Sequence, residues 1–234
     1  MRTAAGTSAV AGYRAARAQR RRAAAVSAGL MAAAAAAGWD AGQVAGTARV
    51  ALAVVAAAFL LAAYLARPRP DPGRWLRGAA GEVATAARLD RLPARRWTVR
   101  HDLPIPGSRA NVDHLVIGST GVWVIDTKTT RAPARAGWRT VRVGDRKLDS
   151  GPVRWEAAVM ADRLDTPVRP LIVVHGGGLR RRGGRAGGVR VLPVDRLLRH
   201  LRRGRWQLDW TRVAELTDRV DEVFFPEKEA AHDG

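Results

Sequence analysis

The apolar run Val122-Trp123-Val124-Ile125 ends in Asp126-Thr127-Lys128, placing an acid and a lysine two residues apart at the end of a strand-like segment. Only three of the forty basic residues are lysines, so arginine serves nearly every basic need in this chain. Lys128 therefore marks a position where a compact ammonium on a flexible stem is wanted, a role the planar guanidinium fills less well. Thirteen residues before Asp126, a second acid stands in a similar setting, Val112-Asp113-His114-Leu115-Val116-Ile117. Two acids and a lysine on paired strands are the parts of a metal-dependent site that cleaves phosphodiesters.

The two runs are separated by Gly118-Ser119-Thr120-Gly121, a glycine-bounded turn that reads as a tight hairpin. A turn centred between Ser119 and Thr120 sets Ile117 opposite Val122 and Asp113 opposite Asp126, with facing Cβ atoms about 4.5–5.5 Å apart. Alternation puts Lys128 on the face of Asp126, together with Val122 and Val124. The same alternation sends His114 and Trp123 to the other face, where a hydrogen-bonding structural histidine and a core tryptophan are expected. Opposed like charges destabilise a bare sheet unless a cation bridges them or one carboxyl keeps its proton. Oxygen-only ligands suit Mg²⁺ or Mn²⁺, with substrate phosphate and waters completing the shell. A one-residue slip in register would instead part the two acids onto opposite faces, as unrelated solvated side chains.

The blocks Gly81-Glu82, His101-Asp102-Leu103, Asn111-Val112-Asp113-His114 and Gly121 to Lys128 together resemble the nuclease-related domain (NERD) family, over about residues 79–203. That family is placed in the PD-(D/E)xK nuclease superfamily. The resemblance implies a restriction-endonuclease-like core, and it puts Glu82, Asp113, Asp126 and Lys128 on the catalytic acidic and lysine positions. It further implies that Asp113, Asp126 and Glu82 hold the metal. Two departures stand out: Asp126 replaces the more frequent glutamate, and Gly151-Pro152-Val153-Arg154-Trp155 stands where a polar Asn-Pro-x-x-Gln element often precedes the next helix.

An α/β domain is expected over residues 79–225, with a small mixed sheet flanked by helices. Arg77 to Leu92 has helical composition, with Val83, Ala86, Ala87 and Leu92 as its apolar side and Glu82 in an early turn. Strands are expected at Trp97–His101, in the hairpin, at Thr140–Val143, at Leu171–Val174, and at Val189–Leu192 as an edge strand. His101 and Asp102 read as a turn where the first strand ends. Helices are expected at Val153–Leu164 and Asp195–Arg202, followed by a C-terminal helix and a disordered tail at 226–234.

Upstream the composition changes. A basic segment (1–22) precedes two apolar runs within residues 23–66, at about 23–39 and 50–66, each near the lower limit of about 17 residues for a spanning helix. Arginines precede the first run and follow the second into a linker at 67–78, while only Arg49 lies between them. The positive-inside rule then gives a transmembrane helical hairpin in the cell membrane, a multi-pass anchor with the soluble domain cytoplasmic. A signal peptide is the competing reading of the first run. The absence of cysteine is compatible with a reducing compartment.

The net charge of +19 belongs partly to that topology and to anionic lipid, and partly to a glycine-spaced cluster, Arg180, Arg181, Arg182 and Arg185. This cluster is the candidate contact for nucleic-acid phosphates; a solvated loop is its alternative. Gly176-Gly177-Gly178 lacks the Lys-Ser ending of a phosphate-binding loop, and no helix-turn-helix, zinc-finger or helicase motif is present. The sequence thus points to a membrane-anchored, Mg²⁺-dependent nuclease acting on DNA or RNA, or alternatively to an inactive nuclease-fold module that binds nucleic acid or a protein at the membrane. A third reading is a membrane protein whose basic domain mainly binds lipid headgroups.

Overall fold

The computed structural model describes residues 72–137, 139–180 and 182–225, together with 11–15, 17–18, 21–22, 24–25, 29, 32, 56–57 and 59–61. Two compact units divide at Trp75/Leu76. In the unit Ala11–Trp75 the described residues are helical. No helix among the described residues is long and apolar enough to cross a membrane. The expected spans at 23–39 and 50–66, most of the flanking segments, and the tail at 226–234 fall almost wholly outside the described residues.

Helix α1 (Pro72–Leu89), which lies in the second unit from Leu76 on, is followed by strands β1 (Trp97–Pro104), β2 (Asn111–Gly118) and β3 (Gly121–Thr130). Three short strands follow, β4 (Ala134–Ala136), β5 (Val141–Val143) and β6 (Arg146–Lys147), then helix α2 (Gly151–Leu164) and strand β7 (Val168–Gly176). The chain closes with β8 (Gly184–Ala186), β9 (Val189–Pro193), helix α3 (Leu197–Arg202) and helix α4 (Trp210–Phe224). Six strands form one mixed sheet in the order β1-β2-β3-β7-β9-β8, and β4-β5-β6 form a second, small sheet. β3, β7 and β9 run parallel, joined by crossovers, whereas the remaining pairs are antiparallel.

Each face of the large sheet carries its own core. Val122, Val124, Ile172, Val174 and Val191 pack with Val153, Met160 and Leu164 of α2 and Leu216 and Val220 of α4. On the other face, Trp123, Ile125, Leu171, Val173 and Leu192 pack with Leu89 of α1 and Leu197 and Leu201 of α3. The mixed α/β architecture therefore follows the expectation, with several local differences. The Val189–Leu192 segment is internal to the sheet, because the arginine-rich loop folds back as β8 and takes the edge. The Thr140–Val143 segment joins the small sheet. β1 runs on to Pro104, so His101 lies within a strand and is buried.

Helix α1 buries only part of the side its apolar pattern suggests: Ala86 and Leu92 are buried as expected, but Val83 and Ala87 are not. Val83 is 52% exposed and Ala87 is exposed, while Ala79, Gly81, Thr85, Ala86 and Leu89 are buried. The cause is Gly81, whose missing side chain lets the helix backbone come down on β3. A Cβ there would collide with Thr129 Oγ1 and lie 3.4 Å from Thr127 Cγ2. Thr85, one turn on, then meets Thr127 side chain to side chain. Gly81→Ala is expected to push α1 off β3 and cost about 1–3 kcal/mol. Gly78→Ala, where an added Cβ meets nothing within 4 Å, is expected to be neutral or to stabilise by up to about 1 kcal/mol. Melting temperatures of the two variants check the contrast.

Candidate active site

The hairpin register is the one read from its turn: Ile117 pairs with Val122, Leu115 with Val124 and His114 with Ile125. Pairing stops there, one pair short of Asp113 and Asp126. Beyond Ile125, β3 continues through Asp126, Thr127 and Lys128 to Thr130 with β7 as its only ladder partner. β2 and β3 thus part at the two aspartates.

A backbone kink marks the parting. Asp102 has a left-handed φ of 51°, and it is absent from an otherwise regular β1–β2 ladder that pairs His101 with His114 and Leu103 with Val112. Trp97, Val99 and Val116 belong to the α1 side of the sheet, whereas Leu103 and Val112 belong to the α2 side. The strand pair therefore changes face at Asp102 and Asp113. Asp113 consequently does not stand across from Asp126 as a simple facing carboxylate. Its Oδ2 accepts the Thr127 backbone N–H at 2.8 Å, and Asn111 Nδ2 donates to Asp102 Oδ1 at 2.8 Å.

Lys128 Nζ donates to Asp126 Oδ1 at 2.8 Å, the short-range pair that the Asp-x-Lys spacing implies. Burial alone would lower the Lys128 pKa, but Asp126, Asp113 and Glu156 together turn the shift upward. Asp113 and Glu82 shift upward as well. Burial, followed by the Asp126 charge, holds the Asp113 carboxyl well above its ordinary range, against the downward pull of the Thr127 N–H. Glu82 is also raised, by burial and then by Asp102 and Asp126, with Lys128 opposing. Its position follows from the close approach of α1 at the neighbouring Gly81.

Glu156 is a site residue that the sequence reading passed over. It lies on the buried side of α2 with Val153, Ala157 and Met160, and is 9% exposed. Burial first, then the Asp126 charge, raises its pKa to about 7, with Lys128 opposing. The available signal was an acid at a core position of an apolar i, i+3, i+4 helix face. Trp155, at the place of the polar residue in the related element, is 47% exposed.

The reverse face of β3 is tied down by a chain of polar side chains. His101 Nδ1 and His114 Nδ1 lie 2.8 Å apart, and His114 Nε2 is 3.3 Å from Thr127 Oγ1. Thr127 Oγ1 donates to Thr85 Oγ1, which is 2.8 Å from His175 Nε2. Burial, then His101 and His175, lowers His114 to about 3, so it is a neutral link, as expected for a structural histidine. This chain fixes Thr127, and through its N–H it fixes Asp113.

Lys128 thus pairs with Asp126 and interacts electrostatically with Glu82, Asp113 and Glu156, and the surplus of negative charge asks for protons or a cation. The donor chemistry, carboxylate oxygens only, fits a hard divalent ion. Among the described residues no group of three or more His, Cys, Asp or Glu is drawn together as a metal cluster. The arrangement therefore fits Mg²⁺ held by one or two of these carboxylates with waters and substrate oxygens, and does not fit an all-protein cage. The arginine cluster is dispersed: Arg180, Arg182 and Arg185 are exposed, Arg185 lies on β8, and Arg181 is outside the described residues.

A carboxyl whose pKa rises on folding contributes stability that is complete below its unfolded value and lost as pH rises through its folded value. For Glu156 that window runs from 4.5 to about 7. In chelator, the melting temperature is expected to fall across this window in the wild type and to fall less in Glu156→Gln. Added Mg²⁺ should reduce the fall in the wild type.

The family description "NERD: Nuclease-related domain" matches residues 77–174, which run from within α1 to within β7. No curated protein matches the chain. A solved structure of Pyrococcus furiosus SfsA in complex with Ca²⁺ is similar over 64% of this chain and 53% of that one, at 18% identity and a TM-score of 0.24. The chain spans about half the length of that structure. The match thus runs from the helix that carries Glu82 to the strand that pairs with Asp126, and over these residues the chain is similar to the nuclease-related domain.

Proposed function

We propose that the chain is a membrane-anchored, metal-dependent nuclease that hydrolyses phosphodiester bonds of DNA or RNA. The observation that carries this reading is the Lys128–Asp126 pair at 2.8 Å, placed where β2 and β3 part and ringed by carboxylates with raised proton affinity. Asp126 and Asp113 would hold Mg²⁺ or Mn²⁺, helped by the nearby charge of Glu82 from α1. The ion, when bound, polarises a phosphate oxygen and makes its water more acidic. Lys128 is half-exposed through its side chain, so its ammonium reaches substrate while Asp126 orients it. Its part is to position the attacking water and to meet charge that grows on the phosphoryl oxygens. Glu156, with a pKa of about 7, holds or releases a proton beside that lysine near neutrality. Arg180, Arg181, Arg182 and Arg185 supply sequence-independent phosphate contacts.

Membrane attachment rests on the two apolar runs and their flanking arginines. It is supported by Phe59 and Leu60, helical residues of the second run that are 73% and 62% exposed. A reporter fused after Gly234 is expected on the cytoplasmic side. A mature N-terminus near residue 38, or a C-terminus reachable from outside intact cells, overturns this topology in favour of a cleaved signal peptide.

One observation favours a second reading, an inactive nuclease-fold module that binds nucleic acid or a protein at the membrane: the exposed Trp155 stands where the related element carries a polar residue. Cleavage of labelled single-stranded DNA, double-stranded DNA and RNA, with and without Mg²⁺ or Mn²⁺, separates the two. Cleavage is expected only with metal, and Asp126→Asn should abolish it. Lys128→Met should lower the rate by on the order of 10²–10³-fold while leaving the metal-induced rise in melting temperature largely intact. No cleavage of any substrate by a folded, metal-responsive protein selects the second reading.

A further inference from the structure

At the end of β3 away from Asp126, the starts of the three parallel strands bring arginines together. Trp123 pairs with Arg169, and Leu171, one pleat further along β7, pairs with Arg190. Arg190 in turn pairs with Arg185 on β8. These side chains, with Arg154 from α2 and His200 from α3, line a cavity of about 620 Å³. Its remaining walls are Pro170, Val189 and the Gly187-Gly188 turn, whose two positive φ values, 54° and 87°, suit a two-residue β-hairpin. No carboxylate lines the cavity, and none pairs with its four guanidiniums among the described residues.

The guanidiniums are held by neutral partners that leave their charge uncancelled. Arg190 Nη2 donates to the Arg182 carbonyl at 2.7 Å, Arg185 Nη1 to Gly188 O at 3.0 Å and Arg169 Nη1 to Thr120 O at 3.3 Å. Arg169 also lies over the Trp123 ring, 5.1 Å from its centroid, and His200 meets the same ring edge-on. Two donors on the lining residues, Trp123 Nε1 and Arg190 Nε, are shielded from solvent and have no acceptor among the described residues. Four like charges around one cavity, three of them held in place, repel one another unless an anion sits among them. Arginine's planar fork matches phosphate oxygens in pairs, and the volume falls within the usual range of about 300–1,000 Å³ for small-molecule sites.

We propose that this cavity is a binding site for a phosphate-bearing anion of nucleotide size, separate from the acidic cleft. Trp123 and Asp126 are three residues apart on one strand, about 10 Å, and their side chains leave by opposite faces. None of Glu82, Asp113, Asp126, Lys128 and Glu156 lines the cavity, so the two sites differ in their residues, with α2 giving Arg154 to one and Glu156 to the other. The phosphate is carried either by a free nucleotide or by the end of a nucleic-acid strand.

The test uses the full chain in chelator, titrated by calorimetry with inorganic phosphate, pyrophosphate, a nucleoside diphosphate, and a short single strand with or without a 5′-phosphate. Saturable binding of pyrophosphate and the diphosphate, tighter than that of inorganic phosphate, is expected. Arg154→Gln and Arg185→Gln, both at exposed positions, should each weaken it by about tenfold or more, and Arg190→Gln further. Asp126→Asn should leave it unchanged, which separates this site from the proposed nuclease centre. Preference for the diphosphate identifies a free nucleotide as the ligand. Preference for the 5′-phosphorylated strand over the unphosphorylated one, lost in Arg154→Gln, identifies a strand end. Absence of saturable binding overturns the proposal. So does binding that is equal in wild type and in correctly folded Arg154→Gln and Arg185→Gln, or binding that falls with Asp126→Asn instead.

Discussion

One ammonium facing four carboxylates is the constraint around which the domain is arranged. Lys128 reaches Asp126 directly and feels Asp113, Glu156 and Glu82 beyond it. Such a cluster is unfavourable in a protein interior unless its charges are neutralised, so it has to be imposed by elements stabilised elsewhere. The apolar cores on the two faces of the sheet supply that support. α2 carries Glu156 into the cleft as a passenger on a helix face anchored by Val153, Met160 and Leu164. α1 brings Glu82 because a glycine lets the helix settle on β3, with Leu89 buried beneath it.

The two faces of β3 divide the labour between them. Toward α2, Asp126 and Lys128 extend the row begun by Val122 and Val124, so an apolar strand turns polar where its β2 partner leaves. Toward α1, Thr127 is caught between His114 and Thr85. A threonine between two charged residues thus carries a positional role: its hydroxyl is held from behind, and its amide in turn holds Asp113. The neutral state of His114 suits that role, since an imidazolium buried against His101 would add a charge with no acid beside it.

Much of this was legible in the sequence where local rules govern. The glycine-bounded turn and strict alternation fix the hairpin register, and the Asp126-x-Lys128 spacing fixes the ion pair. The type and approximate span of the second helix, of β7 and of β9 also follow from pattern alone. What escaped the sequence depends on tertiary contact. The left-handed Asp102 ends the regular pairing and turns Asp113 toward a backbone amide; aspartate adopts such a φ more readily than most residues, but nothing local singles out Asp102 among the aspartates of the chain. Val83 looked like core, yet α1 packs through its small residues. β8 is three residues long and exists only because β9 offers an open edge. Glu156 was masked by its neighbours, since a buried acid on an apolar face resembles a solvated one until the partner strand is in place.

The crossover between β3 and β7 has a consequence for the order in which the molecule is made. β3 ends at Thr130, and its parallel partner begins at Val168, with the small sheet and α2 in between. A ribosome that has released residues up to Lys128 has already delivered Glu82, Asp113, Asp126 and the lysine, but neither Glu156 nor the strand that holds β3 straight. The N-terminal part of the chain therefore emerges with its acids unassembled, and long-range pairing late in synthesis closes the cleft. Whatever chemistry the cleft performs is therefore withheld from the nascent chain until β7 and α2 have left the exit tunnel.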